Sequence, residues 1–178
     1  MQLEELKKIL KTKYSPQLDI IPIQYKDIVF EERVKQKCFH CKNYNRKWTC
    51  PGHLPAVDYR KLVEEYEHAA VIICKMPIDN NIVDEETRYK STNMVHRAML
   101  WLESELYKRN NSLSVSFIGG SCKLCKNGCN SERCVNPELS RVPWEAMGCN
   151  VVATLKNIGI DVVFPPRDYL YRYGLFLW

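Results

Sequence analysis

The chain has no long hydrophobic run: within its 178 residues nothing approaches the roughly 20 uncharged apolar residues of a membrane-spanning helix. Its opening stretch, "MQLEELKKILKTKY", is charged and amphipathic where a secretory signal is apolar. These absences exclude a helical membrane anchor and set the expectation of a cytoplasmic protein. A Rossmann glycine fingerprint and a phosphate loop are also missing, so nucleotide binding has no signature here. The C-x3-C-x2-C spacing of radical-SAM enzymes is absent, which argues against that class. There is no internal repeat beyond two groups of cysteines.

What the chain does have is sulfur. Nine cysteines stand at Cys38, Cys41, Cys50, Cys74, Cys122, Cys125, Cys129, Cys134 and Cys149, an odd number in two tight groups with two singles. A chain of this length forms a real core without staples, so cysteine is not compensating for missing apolar volume. In a reducing compartment, clustered cysteines read as metal ligands or catalytic groups rather than as a disulfide framework.

The second group, in "GGSCKLCKNGCNSERCVNP", has the spacing C-x2-C-x3-C-x4-C. A four-cysteine zinc site usually collects its ligands as two short pairs joined by a longer excursion. Here Cys122, Cys125, Cys129 and Cys134 come from one continuous loop, similar to the compact C-x2-C-x2-C-x3-C-P run of iron–sulfur proteins without matching it. The compactness favours an iron–sulfur cluster, with zinc and an unmetallated loop as the alternatives. Gly119 and Gly120 permit a close turn into the loop, and Gly128 permits a positive φ between ligands. Lys123, Lys126 and Arg133 add positive charge beside the thiolates.

The first group, "CFHCKNYNRKWTCP", supplies Cys38, Cys41 and Cys50 and no clear fourth ligand. Cys74 lies in an apolar run and is a candidate, although buried cysteines commonly act as small hydrophobes. His40, His53 and Cys149 are weaker candidates. With no protein group in the fourth place, one metal would keep an exchangeable position able to act as a Lewis acid. Segment 33–47 holds Arg33, Lys35, Lys37, Lys42, Arg46 and Lys47 with no acid, either to counter thiolate charge or to steer an acidic redox partner or anionic substrate. Tyr44 and Trp48 could stack on a base or shield the site from water. The formal charge is +5. Seven or eight ligating thiolates around two clusters would bring it to about +1 or +2, so nucleic acid is not favoured as a partner.

Periodicity predicts a helix over 2–12, then an extended segment "LDIIPIQYKDIVF" in which Pro22 argues against a central strand. Residues 33–53 read as too polar and irregular for a packed element. Pro55 can open a helix burying Tyr59, Leu62, Val63 and Tyr66, followed by the strand "AAVIICKMP". The longest helical signal spans 84–109, with Val95, Met99, Leu102 and Leu106 on one face. "LSVSFIGG" predicts a strand with Leu113, Val115 and Phe117 on one side. Two short helices follow, one from Pro143 to Gly148 and one from Val151 to Ile158 capped by Asn150, then strands at "IDVVF" and "YLYRYGLFLW". The order predicts a compact layered domain, α/β or α+β, with two cysteine-rich cluster-binding loops. It divides into an N-terminal helix and extended segment (1–30), a metal-binding region (31–165) and a C-terminal strand (166–178) on the same domain. That aromatic terminal strand offers a route to a homodimer.

The motifs "CFHCKNYNRKWTCPG", "GGSCKLC" and "CVNPELSRVPWEAMGCNVVATLKNIGI", in this order over roughly residues 30–165, resemble a prokaryotic family of predicted metal-binding proteins of unknown function. The resemblance implies that Cys38, Cys41 and Cys50 form one ligand set and Cys122, Cys125, Cys129 and Cys134 another, in a setting of anaerobic redox metabolism. The chain departs from the family at Gly52, where a second proline is common, and at Cys149–Asn150–Val151, where an aliphatic–Asp–Val stretch is common. The leading expectation is a protein with two iron–sulfur centres, of the [4Fe–4S] type, serving electron transfer or cluster-assisted redox catalysis with a redox protein or small molecule as partner. The alternatives are a non-redox enzyme, for desulfuration or sulfur transfer at an open iron, and a zinc-stabilised interaction or nucleic-acid module.

Overall fold

The computed structural model describes residues 3–79 and 82–178. Helix α1 (Leu3–Lys13) packs Leu6 and Leu10 inward, and Gln2, where the periodicity begins, lies outside the described residues. Strand β1 (Leu18–Ile23) follows, then a short 3-10 turn at Tyr25–Asp27. Helices α2 (Glu32–Phe39) and α3 (Tyr59–Glu64) flank the first cysteine loop. Strand β2 (Ala69–Pro77), helix α4 (Glu85–Tyr107), strand β3 (Val115–Ile118), helix α5 (Val151–Asn157) and strand β4 (Tyr169–Leu177) complete the chain.

The four strands form one antiparallel sheet in the order β1-β2-β4-β3, which makes the domain α+β rather than α/β. Pro22 sits in an edge strand, as its missing N–H requires. Strand β4 lies between β2 and β3, so the terminal strand is interior, and its Gly174–Leu177 half has partners on both sides.

Strand alternation sends side chains to two cores. Ala70, Ile72, Cys74 and Phe176 face α1 and α4, where Val95, Met99, Leu102 and Leu106 meet them. Val71, Ile73, Phe117, Leu175 and Leu177 face the other way, toward Val63, Trp144, Met147 and Leu155. Each fully buried side chain of this size contributes roughly 1.5–3 kcal/mol. Helix α4 crosses so close over β4 that a Cβ at Gly174 would overlap the Met99 thioether. Asp84 caps α4 by accepting from Thr87 N at 2.6 Å, and Asn150 caps α5 by accepting from Ala153 N at 3.1 Å.

Five local expectations are corrected. Residues 32–39 are helical, with Val34 and Cys38, one turn apart, half-buried on one face while the basic side chains stay in water. The third helix starts at Tyr59, where the Asp58 carboxylate accepts from Arg60 N and Lys61 N, rather than at Pro55. Residues 143–148 form turns, because Trp144 N is taken by Ile118 O at 3.0 Å and Val142 O by Ile118 N, which extends the sheet instead. "IDVVF" is not a strand, and Leu113 lies outside β3, 78% exposed.

Candidate metal centre

The first cysteine loop begins where α2 ends. Cys38 is in its last turn, Cys41 N donates to Cys38 O at 3.1 Å, and Asn45 N donates to Pro51 O at 2.9 Å to close the loop. Asn45 adopts φ 52, so the loop reverses sharply. As a result Cys38, Cys41 and Cys50 line one cavity of about 310 Å³. Its opposite wall comes from Gly120, Ser121, Pro143 and Glu145, at the exit of β3. The Cys38 Sγ lies 3.8 Å from the Glu145 carbonyl oxygen, and the Glu145 carboxylate accepts from Gly120 N at 3.0 and 3.1 Å. Burial holds the Glu145 carboxyl above the usual carboxylate range, against the pull of those backbone hydrogen bonds.

The second loop leaves β3 through Gly119, where a Cβ would collide with the Tyr173 carbonyl oxygen, and Gly120, with φ 71. Gly128 takes φ 84 between Cys125 and Cys129, as the spacing predicts. Cys122 is buried, and Cys125, Cys129 and Cys134 are half-buried along the loop. Asn136 Nδ2 donates to Cys125 Sγ at 3.2 Å. The loop's exit is tied to α4: His96 Nε2 lies 2.8 Å from Leu139 O, and Arg141 pairs with Glu103 through Nε at 2.9 Å and through its terminal nitrogen.

The two loops touch. Lys47 Nζ donates to Cys122 O at 2.5 Å, and Trp48 Nε1 donates to Asn130 O at 2.8 Å. Burial pushes the Cys50 thiol up to about 11; Lys47 opposes the shift, while Cys41, Cys38 and Cys129 add to it. Cys129 belongs to the second group, so the groups are electrostatic neighbours. Cys122 is also raised by burial, with Cys129 and Cys125 adding smaller pushes.

The outlying candidates go elsewhere. Cys74 is fully buried on the α4 face, 3.7 Å from the Met94 sulfur, and does not line the 310 Å³ cavity. Burial pushes its thiol up to about 11. Cys149 is buried beside the Thr154 hydroxyl at 3.4 Å. His40 is exposed against Gln36, and His53 packs on Trp48.

Among the described residues, no three Cys, His, Asp or Glu side chains are gathered into a metal-holding set. The cysteine loops are therefore present and adjoining, but their ligand sets are not assembled as the spacing led one to expect. Metal ligation takes deprotonated sulfur, so the gathering of such cysteines around one point is coupled to the binding of a metal. The donor chemistry itself fits a soft, thiolate-preferring metal. Glu145 and Asn136 were not anticipated. The only sequence signal was an acid inside the apolar "VPWEAMG" and an amide directly before Pro137.

Seven cysteines stand in two segments, 38–50 and 122–134, that Lys47 and Trp48 tie together. The chain belongs to the family described as "Predicted metal-binding protein (DUF2284)", which matches residues 21–178. Comparison with curated proteins gives no match, and comparison with solved structures gives none either. No helix among the described residues is long and apolar enough to cross a membrane.

Proposed function

We propose that the chain is a cytoplasmic iron–sulfur protein binding two [4Fe–4S] clusters. Cys122, Cys125, Cys129 and Cys134 hold one, and Cys38, Cys41 and Cys50 the other. The observation that carries this reading is the 310 Å³ cavity: three cysteines of a C-x2-C-x8-C run share it, and the facing wall offers backbone and a carboxylate instead of a fourth cysteine. The compact spacing of the second group favours a cubane over zinc knuckles.

Bound clusters supply one-electron transfer, and a metal with an exchangeable position supplies Lewis acidity. The chain's own residues have definable tasks. Asn136 donates to the Cys125 sulfur, the kind of hydrogen bond that tunes a cluster's potential. Lys47 and Trp48 hold the loops together, keeping the path between the two groups short. The cavity beside the first group suits a small molecule better than the flat edge a docking carrier presents, so cluster-assisted redox catalysis is favoured over simple electron carriage. Desulfuration or sulfur transfer at the first group is the second reading, supported by the same cavity.

Anaerobic purification with iron, zinc and acid-labile sulfide analysis tests the proposal. The expected result is iron and sulfide in equal amounts, with visible absorption that bleaches under dithionite. Zinc without sulfide overturns it in favour of a zinc-stabilised module. In EPR of the reduced protein, Cys125→Ser and Cys50→Ser are expected to alter different signals, and Cys74→Ala neither.

A further inference from the structure

Two hydrogen bonds cross between the cysteine loops, from Lys47 Nζ to Cys122 O at 2.5 Å and from Trp48 Nε1 to Asn130 O at 2.8 Å. Of residues 40–54 and 119–141 only Thr49, Cys50 and Cys122 are buried, and each is one of these four residues or lies within three positions of one. Neither the 310 Å³ cavity nor a larger one of about 930 Å³, which lies behind Glu145 along β4, is lined by Lys47, Trp48, Cys122 or Asn130, so the join stands apart from both.

Each side of the join is built into a ligand turn. Cys41 N donates to Cys38 O at 3.1 Å, Tyr44 N to Cys41 O at 2.9 Å, Lys47 N to Asn43 O at 3.2 Å and Cys50 N to Lys47 O at 2.9 Å, so a run of turns leads from Cys38 to Cys50 with Lys47 inside it. On the other side Cys122 supplies an accepting carbonyl itself. Asn130 follows Cys129 and organises the turn toward Cys134, its Oδ1 accepting from Glu132 N at 2.7 Å.

Loops without an apolar core lose conformational freedom on ordering, and burial does not offset that loss. Gathering one group around a metal fixes its turn and, with it, that side of both bonds. The other group then meets a smaller ordering cost. Charge works in the opposite direction, since Cys129 and Cys50 act on each other across the join; Lys47 stands near both Cys50 and Cys122 and reduces that repulsion.

We propose that the join made by Lys47 and Trp48 couples the two cysteine groups, so that metal bound at either one raises the affinity of the other. By linkage the factor is the same in both directions. Lys47 and Trp48 act here as positioning residues. The division of the cysteines into two ligand groups rests on the function proposed above; the coupling itself holds for iron–sulfur clusters and for zinc alike.

The test is release of metal from the anaerobically purified full chain at increasing EDTA concentration. Retained metal and sulfide are measured on the same samples, and amide exchange in β2 establishes that the sheet is intact. The variants Cys38→Ser/Cys41→Ser and Cys125→Ser/Cys134→Ser each keep one group. One hydrogen bond is worth about fivefold in an equilibrium, and the product for two bonds, shared between two groups, is again about fivefold. Wild type is therefore expected to hold its metal to about fivefold more EDTA than the sum of the two single-group curves gives. Trp48→Phe is expected to return the wild-type curve about twofold toward that sum and to leave the single-group curves unchanged. A wild-type curve equal to the sum overturns the proposal, and a curve below it does so in favour of thiolate repulsion. An equal effect of Trp48→Phe in a single-group variant also overturns it, by assigning Trp48 to support of its own loop. Should a single-group variant fail to fold, EPR of reduced wild type and Trp48→Phe decides: both groups are expected to lose signal at about twofold lower EDTA, and a shift confined to one group overturns the coupling. Zinc without sulfide, retained beyond the sum, keeps the coupling and removes the iron–sulfur reading; iron and sulfide released along the sum do the reverse.

Discussion

Helix α4 meets the sheet through Val95, Met99, Leu102 and Leu106, none more than 5% exposed, whereas the segments 40–54 and 119–141 bury only Thr49, Cys50 and Cys122. One region is closed by apolar area. The other is held by single polar ties: Lys47 to a carbonyl, Trp48 to a carbonyl, Arg141 to Glu103, His96 to Leu139. Apolar burial needs no partner and is complete in the protein alone. Loops without a core draw their order from cross-ties and from whatever their cysteines bind. The sheet is therefore expected to remain folded under conditions that loosen the cysteine loops.

The sharpest test of that contrast is Phe176→Ala, at the centre of the α4 face. It is expected to lower stability by about 3–5 kcal/mol in urea unfolding without altering metal content per folded molecule. Arg141→Met, at the join between the regions, leaves the largely buried Glu103 carboxylate unpaired. The expected cost is about 3 kcal/mol, together with weaker metal retention at Cys122–Cys134 than at Cys38–Cys50, read by urea unfolding and by EPR. Gly174→Ala forces a Cβ into Met99 and is expected to cost about 1–3 kcal/mol, partly restored by Met99→Val in the same chain.

Smaller still is a pH effect at the join. Burial holds the His96 imidazole below its ordinary 6.5, with the Arg141 and Arg97 charges adding to the shift and the Leu139 carbonyl and Glu103 opposing it. The folded state thus prefers neutral His96, while the unfolded chain takes a proton near its ordinary value. This contribution is fully present above that value and is lost as pH falls from 6.5 toward the depressed folded value. His96→Gln, which keeps a donor for Leu139 O, is expected to flatten the fall in melting temperature over that window. The smallest change is Trp48→Phe. It removes one hydrogen bond between the loops, costs about 1 kcal/mol or less, and is expected to speed amide exchange around Asn130 while leaving β2 untouched. Equal acceleration in β2 would show that the two regions are one cooperative unit.

Much of the frame was legible in the sequence because it depends on local periodicity. The apolar run Ala69–Cys74 that opens β2, the face of α4 and the Asn150 cap of α5 are each specified within a turn or two of chain. The failures lie where a distant segment decided. Val142 and Trp144 exchange hydrogen bonds with Ile118, and that pairing outcompetes the short helix that Pro143 and Gly148 suggest. "IDVVF" has strand composition but finds no neighbouring edge, and serves as cavity wall. Cys74, which the sequence read as a small hydrophobe before a ligand, and Cys149 pack in the two cores, placed there by pleat alternation and by the turn before α5.

The sequence by itself determined the donor set: two groups of thiolates at spacings short enough for a single loop, because ligand identity and loop length are local properties. Only the tertiary structure decided that the two loops adjoin, that Glu145 faces the first group, and that a larger cavity opens behind it along β4. Those depend on β3 stopping at Ile118 while β4 continues, a mismatch of strand lengths set by segments more than fifty residues apart in the chain.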